Sequence, residues 1–142
     1  MRWYEFDIQA TPLPKGSTKS FPHPKTGKIV TTSTTKGLKP YQRHLGAAAA
    51  EAMLGQAPMI GPVRVNMAFI FARPKSHRRA RGDLKPDAPQ YPTTRADVDK
   101  LVRAVLDGLE GVAYLNDKQV VVQYAEKFWG PEDRVRVQFG GP

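Results

Sequence analysis

The chain of 142 residues carries 22 Lys and Arg against 13 Asp and Glu, a formal net charge of +9. With no cysteine and three histidines, a disulfide framework and a Cys-ligated zinc site are ruled out and a His-rich metal site is disfavoured, so any metal must be held by oxygen. The length suits one compact domain spanning 1–142, and the charge favours a polyanionic partner, nucleic acid first, over a neutral metabolite.

Trp3 to Ile8 alternates, with Tyr4, Phe6 and Ile8 on one side and Glu5, Asp7 and Gln9 on the other, which predicts a half-buried first strand. From Ile8 to Ala50 there is no acid, while Lys15, Lys19, Lys25, Lys28, Lys36, Lys39 and Arg43 accumulate among Thr, Pro and Gly, a basic arm over about 11–39. Inside it, HPKTGKIVTTST fits a hairpin around Lys25 to Gly27 or an open loop equally well. Pro40, the alanine run 47–50 and Gly55 predict a helix from about Pro40 to Leu54, burying Leu45, Ala49, Ala52 and Met53.

Val63, Val65, Met67, Phe69 and Phe71 alternate with polar or small residues and predict a strand near the sheet centre. The next stretch, Arg73 to Arg95, has seven Lys or Arg, four prolines and no periodicity, so a long exposed basic loop is expected. Val98, Leu101, Val102, Val105, Leu106 and Leu109 then recur at helical spacing up to Gly111. Val120, Val122, Tyr124 and Phe128 alternate again, lead through GPED into Val135, Val137 and Phe139, and predict a closing antiparallel hairpin. The whole order gives a small α/β (α+β) fold, a mixed sheet with two main helices packed on it. No run approaches the roughly 18 apolar residues of a membrane span and MRWYEFDIQA lacks a signal-peptide core, so a cytoplasmic location without membrane contact is expected.

In this basic chain, Asp97 and Asp99 stand two residues apart where the second helix opens. Inside a helix they would point about 200° apart, whereas at a late cap both project from the entrance into one space. Magnesium or manganese takes such hard oxygens, commonly one or two carboxylates with substrate phosphate and water. A third acid, Asp117, follows Gly111 by six residues, and a strand doubling back along the helix could return it to the helix mouth. The local alternative is that these acids only cap and turn, a cap being worth about 0.5–2 kcal/mol. The spacing alone leaves both open. Asp107 lies about 12 Å along the helix axis from Asp99, too far to share an ion, and is assigned a structural pairing, with Arg103 as the candidate partner.

RADVDKLVRAVLDGLEGVAYLNDKQV as a block resembles the RusA family of Holliday-junction resolvases. That family's signature is an Asp-x-Asp-Asn-Leu-x-Lys helix entrance, a Leu-Asp-x-Leu helix end and a downstream Asp-Asp-x-Gln. Asp97, Asp99, Leu101, Leu106, Asp107, Leu109, Asp117 and Gln119 match in register. The resemblance implies a RusA-like nuclease fold and a structure-selective endodeoxyribonuclease that hydrolyses phosphodiesters in branched DNA during recombination and repair, in a bacterial or phage-infected cell. It also implies a homodimer, with Asp97, Asp99 and Asp117 as catalytic ligands of Mg2+, or Mn2+ in its place. Three positions depart from the signature: Lys100 for Asn, Arg103 for Lys and Asn116 for the first paired Asp. Arg103 keeps a cation one turn beyond Asp99, to serve in catalysis or in an ordinary ion pair with Asp99 or Asp107.

Lys15 and Lys19 of the arm, Lys75, Arg78, Arg79 and Arg81 of the loop, and Lys100 are the expected phosphate contacts, a basic rim around an acidic centre. The alternative for either run is a solvated surface segment. His23, His44 and His77 share no spacing and read as surface residues; Phe21 fits a base wedge or its own domain's packing, and Phe128 and Trp129 fit sheet packing or an interface. A junction's two-fold symmetry suits a symmetric dimer, with the second helix and final hairpin as the expected interface. Two other readings stay open: a branched-DNA-binding module that has lost catalysis, and an unrelated basic nucleic-acid-binding protein in which the acids merely cap.

Overall fold

The computed structural model describes residues 2–16, 18–33 and 35–142, the side chains at 18, 19 and 31–33 excepted. The period-two apolar pattern does form strands. β1 runs Trp3–Ile8, β4 Val63–Ala72, β5 Val120–Gly130 and β6 Arg134–Gly140, and they build one mixed sheet in the order β1-β6-β4-β5. In the arm, β2 (Thr18–Pro22) and β3 (Ile29–Ser33) form a separate antiparallel ribbon. Its turn is closed by hydrogen bonds from His23 N–H to Lys28 O and from Gly27 N–H to His23 O, so of the two arm conformations the hairpin is the one seen.

Two helices cover one sheet face, α1 over Leu38–Ala52 and α2 over Val98–Leu109. α1 begins two residues earlier than its pattern suggests, because Gly37 adopts a left-handed φ of 79° at the cap and Pro40 falls inside the first turn. Val63, Val65, Met67, Phe69 and Phe71 of β4 lie beneath Leu45, Ala49, Leu101, Val105 and Leu109, each at most 4% exposed. Such apolar side chains contribute about 1.5–3 kcal/mol each when fully buried. Where the helices meet, a Cβ on Gly46 would stand 3.1 Å from the Gly108 carbonyl oxygen, and one on Gly108 3.2 Å from the Gln42 carbonyl oxygen. Hydrogen at both positions lets the backbones touch.

The closing hairpin is not formed. β5 lies parallel to β4, and β6 pairs antiparallel to β4 on its other side. The GPED link crosses over the end of β4, where Asp133 Oδ1 accepts the Ala72 N–H at 2.7 Å and Arg73 N–H donates to Gly130 O. Those bonds carry the chain past β4 into the slot beside β1. β5 also differs from a simple alternation. Val63 pairs with Val120 but Arg64 pairs with Val122, so Val121 is an extra residue at a bulge. Val120 therefore packs on the core, whereas Val122 and Tyr124 are 40% and 56% exposed.

The other sheet face is polar. Arg134 and Arg136 hold the two Asp7 oxygens at 2.6 and 2.8 Å, and Gln138 donates to Glu5. Burial alone would raise the Asp7 carboxyl, but the two guanidiniums outweigh it and hold it below its ordinary 3.8. Stability from this group is thus present above pH 3.8 and is lost as pH falls through the lowered folded value. An acid titration followed by circular dichroism should show a shallower loss in Asp7→Asn than in the parent. Gly108→Val should lower stability by about 1–3 kcal/mol in urea melts, since the facing Gln42 backbone cannot rotate away; an unchanged midpoint would mean the helices separate freely there.

Candidate active site

α2 starts at Asp97, an extended N-cap with φ −61° and ψ 142°, and Asp99 sits in its first turn. The helix thus opens with Asp97 just outside it and Asp99 inside its first turn. Asp97 makes no side-chain capping bond; its side chain is 70% exposed, with the Lys100 ammonium 3.8 Å away. Asp99 is exposed and, among the described residues, engages no donor or cation. The capping role proposed by local chemistry is therefore not what either carboxylate performs. One carboxylate without a cation and one held only by a loose ion pair, both at one helix mouth, are of the oxygen-donor type that a hard divalent cation takes alongside phosphate and water.

Asp117 lies elsewhere. It opens a 3-10 turn, Asp117–Gln119, that leads into the start of β5. The strand does double back along α2, but the residue that reaches the helix mouth is Lys127, whose ammonium donates to the Arg95 and Ala96 carbonyls at 3.3 and 3.0 Å. Asp117 stays near the far end of α2, where Tyr114 Oη donates to Leu106 O at 2.6 Å. Burial pushes the Tyr114 phenol up, and the charges of Asp117, Glu110 and Asp107 push it the same way. A 12-residue helix is about 18 Å long, so Asp97 and Asp117 of one chain are separated by about that length. Among the described residues no three acidic or imidazole side chains are grouped to hold one metal ion.

The turn chemistry falls to the neighbours of Asp117. Asn116 Oδ1 accepts the Lys118 N–H at 2.8 Å. Gln119 Oε1 accepts the Leu115 and Asn116 N–H groups, and its Nε2 donates to the Met59 and Gly61 carbonyls at 2.9 and 3.0 Å. Gln119 thus closes the turn with two bonds and ties it to the segment before β4 with two more, leaving the exposed Asp117 carboxylate outside that network.

Cations gather at the helix mouth. The arm docks across α2 through a bond from Lys15 N–H to Lys100 O at 2.9 Å. Gly16 follows at φ 152°, where an added Cβ would stand 3.2 Å from Lys100 Cγ and 3.4 Å from an Arg103 guanidinium nitrogen. Arg103 forms no ion pair with Asp99 or Asp107 among the described residues. Asp107 is instead bound by Lys15 Nζ at 2.6 Å and by Gln42, because the docked arm brings that ammonium onto the helix flank. Lys15 is accordingly tied to α2. Lys19 has its side chain outside the described residues.

The loop 73–95 is shaped rather than loose. A 3-10 turn at Lys75–His77, a bridge between Arg78 and Leu84, and bonds from Arg79 N–H to Asp83 O and from Lys85 N–H to His77 O fold it on itself. Lys75, Arg78, Arg79 and Arg81 are exposed on it, with Asp83 engaging Arg81 at 2.9 Å and Arg79 at 3.8 Å. His77 is not a plain surface residue; its ring meets Trp129 edge-on at 5.2 Å. Trp129, Arg73, Arg95 and Lys127 converge here without any signal in sequence spacing, since they come from both ends of a long loop and from a strand. Gln119→Ala should cost about 1–2 kcal/mol by removing four hydrogen bonds to exposed or half-buried backbone groups, read in denaturant melts; a loss under about 0.5 kcal/mol would show water replacing it without cost.

The description Endodeoxyribonuclease RusA belongs to a family model that matches residues 11–139. The chain is also 27% identical over 135 residues to "Uncharacterized protein YqaN" of Bacillus subtilis (strain 168), covering 94% of this chain and 92% of that protein. None of its helices is long and apolar enough to cross a membrane among the described residues. A match running from Thr11 in the arm to Phe139 in the last strand takes in the helix entrance, the shaped loop and three of the four strands of the main sheet, and the chain belongs to the RusA endodeoxyribonuclease family.

Proposed function

We propose that this protein is a magnesium-dependent, structure-selective endonuclease that resolves Holliday junctions or related branched DNA by phosphodiester hydrolysis, in recombination and repair. The observation that carries the reading is the uncommitted Asp97 and Asp99 pair at the sheet end where the arm and the shaped loop converge. Bound there, Mg2+ or Mn2+ would supply Lewis-acid charge at the phosphodiester oxygens and acidify a water for in-line attack. Asp97 and Asp99 would hold it. Arg103 and Lys100, on the same helix face as the docked arm, would bind and orient the phosphodiester backbone, and the exposed Lys75, Arg78, Arg79 and Arg81 would hold the arms of the junction. No nucleophilic side chain is needed.

Asp117 joins this centre only if a second copy supplies it. Among the described residues β5 pairs with β4 alone, which leaves its outer edge open, and the strand exposes Val121 at 60% and Tyr124 at 56%. An open apolar edge strand is a template for pairing with another chain. Antiparallel pairing of β5 with its own copy about a two-fold near Tyr124 would set the start of one β5 beside the end of the other. The Asp117 of each protomer would then stand by the helix mouth of its partner. This interface involves α2 only at its ends, and it replaces the closing hairpin that β6 does not make with β5.

Three measurements test the proposal. A labelled four-way junction with magnesium should be nicked in symmetric pairs, with the linear duplex spared; Asp99→Asn and Asp117→Asn should each fall by about 100-fold or more. Mixing those two inactive variants should restore about a quarter of wild-type sites, because each mixed dimer assembles one intact centre. The products should be single nicks rather than paired ones. No restoration from a mixture that sediments as mixed dimers would overturn the shared centre, and an inert parent under magnesium and manganese would overturn the nuclease reading itself.

A further inference from the structure

Trp129, near the end of β5, is ringed by cations. The Arg73 guanidinium lies 5.4 Å from its ring centroid and that of Arg95 5.7 Å, with Arg95 also 5.7 Å over Phe71. The indole itself is fixed, its Nε1 donating to Pro89 O at 3.1 Å, the same carbonyl that accepts from Arg73 Nη1 at 2.8 Å. Lys127 pins the Arg95 backbone from below through the Arg95 and Ala96 carbonyls. Arg95 is exposed, and among the described residues its guanidinium donates to no oxygen. Three cations, Arg73, Arg95 and Lys127, are held at one strand end, one of them, Arg95, two residues before Asp97 in the chain, and among the described residues no carboxylate pairs with them.

A guanidinium held over an aromatic ring by the cation–π attraction, with no carboxylate on it, has N–H groups to offer, and its fork matches two oxygens of a phosphate. We propose that Trp129 is a positioning residue that holds Arg95, with Arg73 behind it, as a clamp for one DNA phosphate next to the proposed metal centre. The clamp rests on the nuclease reading for its role in cutting. Its role in binding stands without that reading. Trp129 sets the angle of the fork, Phe71 supports it from the sheet, and the edge-on His77 ring together with the Pro89 carbonyl fixes the indole. A phosphate seated there neutralises cations that the fold leaves uncompensated.

Binding of a four-way junction is measured in EDTA across a salt series, and single-turnover cleavage separately in magnesium, for Arg95→Ala, Arg95→Lys, Trp129→Leu and Trp129→Phe. Arg95→Ala should weaken binding about tenfold at moderate salt and reduce the log–log salt slope by about one. Arg95→Lys and Trp129→Leu should keep the slope, since the charges remain, yet cut about tenfold or more slower at saturating DNA. Trp129→Phe, which retains a ring face, should recover most of that rate. Arg95→Ala binding with the parent's slope and affinity overturns the clamp. If Trp129→Leu melts without cooperativity, the exposed Arg95 variants decide alone. A lowered Arg95→Ala slope in a parent that never cuts upholds the clamp and removes the nuclease reading instead.

Discussion

Parallel pairing of β4 with β5 obliges the intervening chain to return the whole length of the sheet before β5 can start. α2 makes that return. Its N-terminus consequently lies at the carboxyl ends of both strands and its C-terminus at their amino ends, which is where open sheets with parallel strands place ligands: outside the carboxyl ends. The basic loop leaves from the end of β4 and feeds directly into α2, so it has nowhere to go but the same end. Asp97, Asp99, the loop and Trp129 are neighbours because of one strand pairing, and the same pairing holds Asp117 at the other end.

Electrostatics then sorts the cations into two populations. Lys15 is bound to Asp107, Arg134 and Arg136 to Asp7, and Arg81 to Asp83. Exposed pairs of this kind contribute about 0–1 kcal/mol each, and they consume charge that would otherwise face a ligand. Of the cations without an acidic partner among the described residues, Arg103 stands beside the docked arm and Arg73, Arg95 and Lys127 stand near Trp129. A basic protein need not be basic everywhere. Here the polar sheet face is balanced by its own acids, and part of the unpaired positive charge stands at the end that carries Asp97 and Asp99.

Strand and helix positions were legible in the sequence because each element buries one face, and burial imposes a period. Val63 to Phe71 and Val98 to Leu109 are the clear examples. What periodicity does not encode is which strand lies beside which. Val120 to Phe139 reads as a hairpin because its two runs are adjacent in sequence; a hydrogen bond from the Ala72 N–H to Asp133 diverts it. Nor does spacing record the bulge at Val121, which turns Val122 and Tyr124 away from the core. The acids at the helix mouth were legible as a pair, and their late cap follows from Asp97 being extended. The distance to Asp117 was not, since it depends on strand order. The partners of Lys15, Arg103 and His77 are long-range contacts that no local window contains.

The three departures from the family signature bear differently on whether the chemistry survives. Asn116 stands where an acid is usual, yet its side-chain oxygen accepts the Lys118 N–H while Gln119 closes the reciprocal bonds. An amide performs that capping as well as a carboxylate does, so the substitution preserves the turn that presents Asp117. Lys100 places its ammonium 3.8 Å from Asp97, a loose contact that a divalent ion or a phosphate can displace. Arg103 keeps its charge and is engaged with neither Asp99 nor Asp107. None of the three covers the helix mouth, where Asp99 engages no donor or cation among the described residues and Asp97 makes only the loose Lys100 contact. In a chain with cations to pair them many times over, one carboxylate at that mouth is left without a cation among the described residues and the other is held only loosely, so oxygen donors of the type a hard divalent ion takes stay open there.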